Sequence, residues 1–311
     1  MTKEIEKNLS KIPIVNWIVK LGKQVRIPGL QGMSLYDVIE MYIIGIVKGA
    51  LTSRAGGIAF SFFMALFPFI LFILTLIPYV PIEGFQEDFL LIIEQLLPPN
   101  TAETVHEVIE DIANNRYGGL LSFGFVASIF LMANGVNAIL GGFEYSYHVT
   151  KMRNILRQYI ISMGMAILLA FILVLTVAIT LYFEIGIASL KDKGWLADDV
   201  FWIEKGQFLF FVLLIFVSVS FLYKYGTKEV KYHSFFTPGS ILTTLLTLLM
   251  FKLFSIYVLK FATYNKLYGS IGTLLVLMLF VWLNSIILLL GFELNASISR
   301  LKRLHLRYNK E

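Results

Sequence analysis

A long apolar run near the C-terminus constrains the fold of this chain more than any other feature. No charged residue lies between Lys266 and Glu293, and most side chains in that stretch are aliphatic or aromatic. A bilayer core about 30 Å thick is crossed by roughly 20 residues of α-helix, because each residue rises about 1.5 Å. The run therefore predicts one membrane-crossing helix over residues 268–296.

Similar runs recur along the chain and predict an all-α, polytopic membrane protein with six transmembrane helices. The composition agrees, since 57% of the residues are hydrophobic, 15% are charged and the mean hydropathy is +0.75. A soluble protein carries about a quarter charged residues. We expect a membrane domain over residues 57–299. Its spans are predicted over residues 57–80, 118–143, 159–183, 207–223, 238–260 and 268–296.

Three regions outside the spans are distinguished by their composition. Residues 1–56 form a basic arm whose last part is an amphipathic helix, expected to lie in the membrane interface. Ser34 is the predicted N-cap of that helix and Asp37 its capping-box partner. Residues 81–117 are rich in Asp and Glu and predict a hairpin of two short helices on the outer side. Residues 300–311 form a basic tail.

The distribution of Lys and Arg sets the expected orientation. Nineteen of the 26 basic residues lie in the N-terminal arm, the second and fourth loops and the tail, and six lie in the other loops. Cytoplasmic loops carry the excess of Lys and Arg in membrane proteins. We therefore expect both termini in the cytoplasm. The same rule accounts for the formal net charge of +5 without a nucleic-acid partner.

Charged residues near the ends of the spans are the first candidates for a site. Glu144 and Glu293 lie at the ends of the second and sixth spans, and Arg54 precedes the first. Burying an unpaired charge near lipid costs several kcal/mol. We therefore expect an ion pair between Arg54 and one of the two carboxylates. The alternative is that each carboxylate reaches the aqueous interface separately.

Polar residues inside the spans are the second group of candidates. Lys252 is expected nearer the outer face, where it either lines a cavity or extends to the interface. Asn134, Asn137 and Asn284 are expected to hydrogen-bond between helices, with a solute pathway as the alternative. Pro68 removes one backbone hydrogen bond from the first span and is expected to kink it.

The second and sixth spans share a sequence frame. A Tyr-Gly pair opens each span, and a Gly-Phe-Glu triplet, at 142–144 and at 291–293, closes each. Both spans are expected to run from the outside inwards, so a duplication would be of the parallel kind. A true repeat and a chance likeness between apolar helices both remain open on the sequence alone.

Catalytic motifs are not evident in the sequence. The chain has no cysteine, which excludes disulfides and thiolate chemistry. Its four histidines are scattered, and it contains no HExxH motif, no GxSxG nucleophile elbow and no Walker-type loop. We therefore expect a protein that is not an enzyme and that needs neither a metal nor a cofactor.

Four blocks of the sequence, taken in order, are similar to one known family. They cover residues 54–74, 119–149, 222–241 and 268–296, and the first reads RAGGIAFSFFMALFPFILFIL. In these blocks the chain resembles the YihY/virulence factor BrkB family. The resemblance implies a six-span protein of the bacterial plasma membrane. Members have been labelled ribonuclease BN, but that activity would require clustered His and Asp, which the sequence does not show.

The sequence favours a non-enzymatic role in the membrane. Our first hypothesis is transport or handling of a lipid or another amphiphile of the cell envelope, because a kinked span and intramembrane polar residues can enclose a cavity. The alternative is a scaffold that assembles envelope machinery through the acidic hairpin and the basic tail. A nuclease is the more distant alternative. Membrane lipids are the expected partners, and no nucleic acid is expected.

Overall fold

The computed structural model describes residues 34–79, 111, 115–192, 201–228, 235–261 and 270–308, and in these ranges it consists of helices joined by short connections, with no β-strand. The prediction of an all-α protein is thereby confirmed. The α-helices in these ranges are α1 Leu35–Lys48, α2 Leu51–Leu76, α3 Gly118–Glu144, α4 Ile155–Asp192, α5 Phe201–Tyr225, α6 Pro238–Phe261 and α7 Ser270–Tyr308, and a 3-10 turn over Ile77–Tyr79 follows α2.

Five or six segments among the described residues are candidates to cross a membrane. Five helical segments are each long and apolar enough: Gly118–Glu144, Ile155–Ile172, Lys205–Tyr225, Pro238–Val258 and Leu274–Leu304. A sixth crossing results if the helices Tyr36–Lys48 and Leu51–Phe69 count as one span with a bend of 62° between them. These segments agree with the predicted polytopic membrane protein, while its orientation stays a prediction.

Helix α1 begins at the predicted capping box. The Ser34 hydroxyl accepts a hydrogen bond from the Asp37 backbone N–H, and the Asp37 carboxylate accepts one from the Ser34 backbone N–H. Two donors that a helix N-terminus would otherwise leave unpaired are thereby satisfied. The helix is capped at its other end by Gly49, and Ala50 adopts a φ of 46°. Because the chain turns there, α1 and α2 are separate helices.

Helix α2 begins earlier than the first predicted span. It starts at Leu51 rather than near residue 57, so Arg54 lies in its first turns. The helix contains Pro68 and continues to Leu76. The early start matters for the site, because it places the Arg54 side chain on a packed helix and not in a loop.

Helices α2 to α7 form a ring in which each helix packs against its neighbours, and α3 also contacts α7 across it. Contacts join α2 to α3, α3 to α4, α4 to α5, α5 to α6 and α6 to α7, and α7 packs back against α2. Helix α1 is not a member of this ring and packs against α7. The order around the ring therefore follows the order of the chain, as short connections favour.

The buried core lies at one end of the ring. It is formed by the starts of α2, α4 and α6, the ends of α3 and α5, and the C-terminal half of α7. Among the residues whose burial the structure describes, none is buried in α4 over 167–172, in α5 over 205–218 or in α6 over 245–258. We call this end of the ring the basic end, because the loops with the predicted cytoplasmic Lys and Arg follow α3 and α5 there.

Two of the regions predicted to lie outside the spans are only partly described. The N-terminal arm up to residue 33 and most of the acidic hairpin predicted over 81–117 lie outside the described residues. Helix α7 continues to Tyr308, so the first part of the predicted basic tail is helical.

Candidate functional site at the basic end

Arg54 and Glu293 form a buried ion pair at the basic end. Arg54 Nη2 lies 2.6 Å from Glu293 Oε1, and the two side chains are 7% and 0% exposed. Arg54 Nη1 also donates to the Gly142 carbonyl at 2.7 Å. A buried charge is strongly destabilising unless it is paired and hydrogen-bonded. One arginine of α2 is thus bound to both α3 and α7.

The other carboxylate oxygen of Glu293 is bound by the loop that follows α3. Ser146 Oγ donates to Glu293 Oε2 at 2.8 Å. In the same loop, His148 Nε2 lies 2.9 Å from the Met41 carbonyl of α1. A Cβ added at Gly45 of α1 would meet His148 at 2.5 Å and Glu293 at 2.9 Å. Helix α1 therefore covers the carboxylate, and its close approach requires glycine at position 45.

Burial keeps His148 neutral. Its side chain is fully buried, and this burial lowers the pKa of His148 to about 4. The charges of Arg300 and Arg303 also lower the pKa, whereas the hydrogen bond with Met41 raises it. A neutral imidazole carries one N–H, and the contact with the Met41 carbonyl places that proton on Nε2. Nδ1 is then an acceptor, and Arg300 Nη1 lies 3.5 Å from it.

Glu144 is bound by different partners. Both of its oxygens accept from the Arg153 backbone N–H at 3.2 Å. The Gln158 side chain, in the amide orientation that satisfies its neighbours, donates to Glu144 Oε2 at 3.0 Å. Of the two carboxylates considered for Arg54, the structure brings Glu293 to it and places Glu144 against the start of α4.

Arg153 joins the loop after α3 to the end of α5. Its guanidinium donates to the Thr227 carbonyl at 2.7 Å and to the Gly226 carbonyl at 3.3 Å. Burial lowers the pKa of Arg153, and the Glu144 carboxylate opposes that effect. A guanidinium stays protonated in proteins, so Glu144 and the two carbonyls compensate a half-buried cation here.

The two Gly-Phe-Glu triplets meet in the core. The rings of Phe143 and Phe292 are stacked, with centroids 4.2 Å apart and planes 10° apart. The Tyr223 ring packs against both. The glutamates that follow the two phenylalanines, Glu144 and Glu293, are both buried. The two Gly-Phe-Glu triplets therefore lie side by side where α3 contacts α7. Whether the second and sixth spans arose by duplication stays a prediction.

A groove of about 440 Å³ opens beside Arg54, between α2, α3 and the start of α4. This volume lies within the roughly 300–1,000 Å³ of small-molecule sites. Tyr145 and Ile155 stand at its edge and are 69% and 85% exposed. The polar residues of its lining are Arg54, Ser61, Asn137, Tyr145 and Gln158.

Glycines keep the groove open. Gly57, Gly141 and Gly142 all contribute to its wall. A Cβ added at Gly57 would meet no atom within 4 Å, whereas one added at Gly142 would meet Ile58 at 3.1 Å and Leu289 at 3.3 Å. Gly57 therefore faces open space, while Gly142 is packed against its neighbours.

The predicted intramembrane asparagines have different environments. Asn137 lines the groove, and its Oδ1 accepts from Ser162 Oγ at 3.3 Å, which joins α3 to α4. Asn284 instead donates to the Phe280 carbonyl of its own helix at 2.8 Å. An interhelical bond is therefore present at the first position, and the bond at the second is within one helix.

Three other predicted pathway residues do not line the groove. Lys252 is exposed on α6, about 21 Å along the helix from Pro238 at about 1.5 Å per residue. Asn134 and Pro68 are half-buried in α3 and α2. The structure thus brings Arg54, Glu293 and Asn137 together and leaves these three apart from them.

Several residues of the site were not singled out by the sequence. Ser146 and His148 lie inside the second block of the family resemblance, which was the available signal. Gln158 and Tyr145 line the groove through the packing of α3 on α4, which no local pattern predicts. No group of three or more His, Cys, Asp or Glu that could hold a metal comes together among the described residues.

Comparison with known proteins gives consistent similarities. The sequence model of the family described as Virulence factor BrkB matches residues 45–311. A Bacillus subtilis (strain 168) protein named as a ribonuclease-like protein, YfkH, is 33% identical over 258 residues, which cover 81% of this chain and 91% of the relative. A UPF0761 membrane protein of Pseudoalteromonas translucida is 27% identical over 83% of this chain and 84% of the relative. No solved structure matches the chain.

Proposed function

Since the chain belongs to the virulence factor BrkB family of multi-pass bacterial membrane proteins, we propose that it binds and transfers a membrane lipid or a similar amphiphile through the groove beside Arg54. The observation that carries the proposal is the groove itself, with its polar lining and its exposed edge. A lipid has the matching parts, a polar headgroup and apolar tails.

The position of the groove supports the proposal. It lies among the first turns of α2 and α4 and the last turns of α3. The ends of membrane helices lie near the headgroup region of a bilayer. Ile155, Leu156 and Ile160 on α4 are exposed apolar residues beside it. A headgroup in the groove would leave its tails free to lie against this face of α4.

The ion pair supports a site of constant shape. Arg54 lines the groove while its guanidinium is bound to Glu293 of α7 and to the Gly142 carbonyl of α3. Sites built on packed helices hold their geometry better than sites on loops. We infer that the Arg54–Glu293 pair sets the distance between the helices that form the groove wall.

We propose no catalytic step for this protein. The polar lining of the groove consists of amides, hydroxyls and one guanidinium that is bound to a carboxylate, and it contains no His, Asp, Glu or Lys side chain among the described residues, the types that most often act as general bases. Incubation of the purified protein with RNA and divalent metal ions checks this part of the proposal. Cleavage of RNA that Gly57→Leu abolishes would show that the groove is an active site.

Two neighbouring glycines provide a matched test of transfer. A side chain at Gly57 would enter the groove, whereas Gly56, which also has no atom within 4 Å of an added Cβ, is not part of the lining. We expect liposomes with wild-type protein or Gly56→Leu to exchange fluorescently labelled lipid between leaflets. Gly57→Leu should slow the exchange by roughly tenfold, equivalent to about 1.4 kcal/mol.

Equal exchange rates for all three proteins would mean that lipid does not pass through the groove. A wild-type rate no higher than that of protein-free liposomes would contradict the proposed function as a whole. Thermal unfolding serves as the control for folding, because replacing a helical glycine at an open position is expected to leave stability equal or increased.

A further inference from the structure

The charges around the groove indicate which class of headgroup it binds, an inference that rests on the proposed function. We propose that the groove takes a neutral, hydroxyl-bearing headgroup, such as the sugar of a glycolipid, in preference to a phosphate headgroup. Three observations carry this proposal: the pairing of Arg54, the position of Glu144 and the chemistry of the remaining lining residues.

The positive charge of Arg54 is already compensated. Among the described residues that line the groove, Arg54 is the one cationic side chain, and its guanidinium is paired with Glu293 and bonded to the Gly142 carbonyl. Glu293 is itself held by Ser146. A phosphate would have to displace or repel this carboxylate. Phosphate sites normally offer arginine or lysine side chains whose charge is not already neutralised.

The start of α4 is also faced by a negative charge. A helix N-terminus attracts anions through its partial positive charge and its unpaired N–H groups. Here Ile155 and Gln158 at the start of α4 border the groove, and the Glu144 carboxylate is bound to the Arg153 N–H just before them and to Gln158. The two glutamates of the Gly-Phe-Glu triplets thus lie beside both positive features of the groove, Glu293 against Arg54 and Glu144 between Arg153 and the start of α4.

The remaining polar groups suit hydroxyls. The lining contains the amides of Asn137 and Gln158 and the hydroxyls of Ser61 and Tyr145. Amides and hydroxyls both donate and accept hydrogen bonds, as sugar hydroxyls do, whereas phosphate oxygens at neutral pH chiefly accept. The amide oxygen of Asn137 already accepts from Ser162, and that of Gln158 accepts from the Gly141 N–H. The second lone pair of each oxygen can accept from a sugar hydroxyl, whereas a phosphate offers it chiefly acceptors. A hydroxylated headgroup can satisfy both kinds of group.

Tyr145 adds a ring at the mouth of the groove. Its backbone N–H is bonded to the Gly141 carbonyl at 2.9 Å, while its side chain is largely exposed. Tyrosine presents an apolar face and a hydroxyl that hydrogen-bonds. The C–H face of a pyranose is apolar and its edge carries hydroxyls, so a sugar ring can pack on Tyr145 and still reach Asn137.

Competitive lipid binding tests the proposal. The purified protein is mixed with monoglucosyl-diacylglycerol, phosphatidic acid and diacylglycerol that carry the same acyl chains, and native mass spectrometry measures the bound fractions. We expect the glucosyl lipid to be retained roughly tenfold better than phosphatidic acid. Tyr145→Ala should lower binding of the glucosyl lipid about fivefold. Tyr225→Ala, which alters an exposed tyrosine outside the groove lining, should not.

Charge-removing variants give an independent test. Glu293→Gln frees the charge of Arg54, and Glu144→Gln removes the negative charge beside α4, so each should increase binding of phosphatidic acid severalfold. Glu144→Gln keeps this test available if Glu293→Gln does not fold. Preference of the wild type for phosphatidic acid, or unchanged phosphatidic acid binding in a folded glutamine variant, would overturn the proposal.

The two proposals fail separately. Selective binding of the glucosyl lipid without lipid exchange in liposomes would contradict transfer and support the headgroup assignment. Lipid exchange that Gly57→Leu slows, together with a preference for phosphatidic acid, would support transfer and contradict the headgroup assignment.

Discussion

At the scale of single residues, Arg54 and Glu293 act as a constraint more than as a source of stability. Removing two charges from water costs several kcal/mol per ion, and the attraction between them repays this cost only in good geometry. The pair has that geometry, with 2.6 Å between Nη2 and Oε1 and further hydrogen bonds to Gly142 and Ser146. Its main effect is therefore to exclude arrangements of α2, α3 and α7 in which either charge lacks its partner.

The first prediction concerns this pair. Arg54→Ala leaves Glu293 buried without its cation and should lower the free energy of unfolding by about 3–5 kcal/mol. Arg54→Met combined with Glu293→Leu should cost much less, because no buried charge is left unpaired. Denaturation in mixed detergent micelles measures both. If the double variant loses as much stability as Arg54→Met and Glu293→Leu lose together when made singly, the cost does not come from an unpaired buried charge.

The second prediction concerns pH and His148. The folded-state pKa of about 4 lies below the usual 6.5, so the unfolded chain binds this proton more readily than the folded chain does. The stability contributed by the neutral ring is therefore fully present above about pH 6.5 and is lost as the pH falls towards 4. Thermal unfolding between pH 7.5 and 4.5, both within reach of ordinary buffers, measures the loss.

The control for this prediction is His148→Gln. Its side-chain N–H₂ can still donate to the Met41 carbonyl, but it does not titrate. The midpoint of the variant should therefore fall less steeply with acid than that of the wild type. Carboxylates titrate in the same range in both proteins, so the difference between the two slopes reports His148. Parallel slopes would show that His148 does not contribute.

At the scale of elements, α6 and α7 approach one another through glycines. A Cβ added at Gly291 would overlap the Thr243 hydroxyl and come within 2.5 Å of the Tyr223 hydroxyl and 2.6 Å of the Gly239 carbonyl. The Gly239 N–H donates to Asn295 Oδ1 at 2.9 Å. Small residues allow membrane helices to approach closely, and polar groups then bridge them. This crossing thereby closes the ring beside the ion pair.

The third prediction follows from this crossing. Gly291→Ala should lower the free energy of unfolding by about 1–3 kcal/mol, because the added methyl group overpacks the contact. Gly164→Ala on α4 is the matched control, since its Cβ would meet no atom within 4 Å, and it should leave stability unchanged or raise it by up to about 1 kcal/mol. Equal effects of the two changes would argue against a tight crossing.

At the scale of the whole molecule, packing is concentrated at the basic end. Where the structure describes burial, the buried residues of α4, α5 and α6 lie near that end, and residues 167–172, 205–218 and 245–258 are at least partly exposed. The groove beside Arg54 lies at the same end. The orientation of the molecule therefore determines from which side of the membrane a ligand would enter the groove, and basic loops should be cytoplasmic.

The fourth prediction tests this orientation. The chain has no cysteine, so Arg116→Cys and Lys302→Cys, both at exposed positions, each introduce the only thiol. A membrane-impermeant maleimide should label Arg116→Cys in intact cells and Lys302→Cys only after the membrane is opened. The reverse pattern would place the groove at the outer face.

Local causes explain what could be predicted from the sequence. The capping box at Ser34 depends on residues three apart, and the apolar runs depend on each residue separately. The need of Arg54 for a carboxylate was also predictable, because an unpaired buried charge is costly. Gln158 and Tyr145 were not predictable as groove residues, because their positions depend on how α3 and α4 pack.

The sequence by itself determined that this protein is a bundle of membrane-spanning helices, because the cost of placing charge in a bilayer is a property of each residue alone. Only the tertiary structure decided that Glu293, 239 positions from Arg54, pairs with it while Glu144 turns to Arg153. The two glutamates end equivalent triplets, and the depth and rotation of α2 against α3 and α7 distinguish them. The groove exists for the same reason, since residues of three separate helices, α2, α3 and α4, line it.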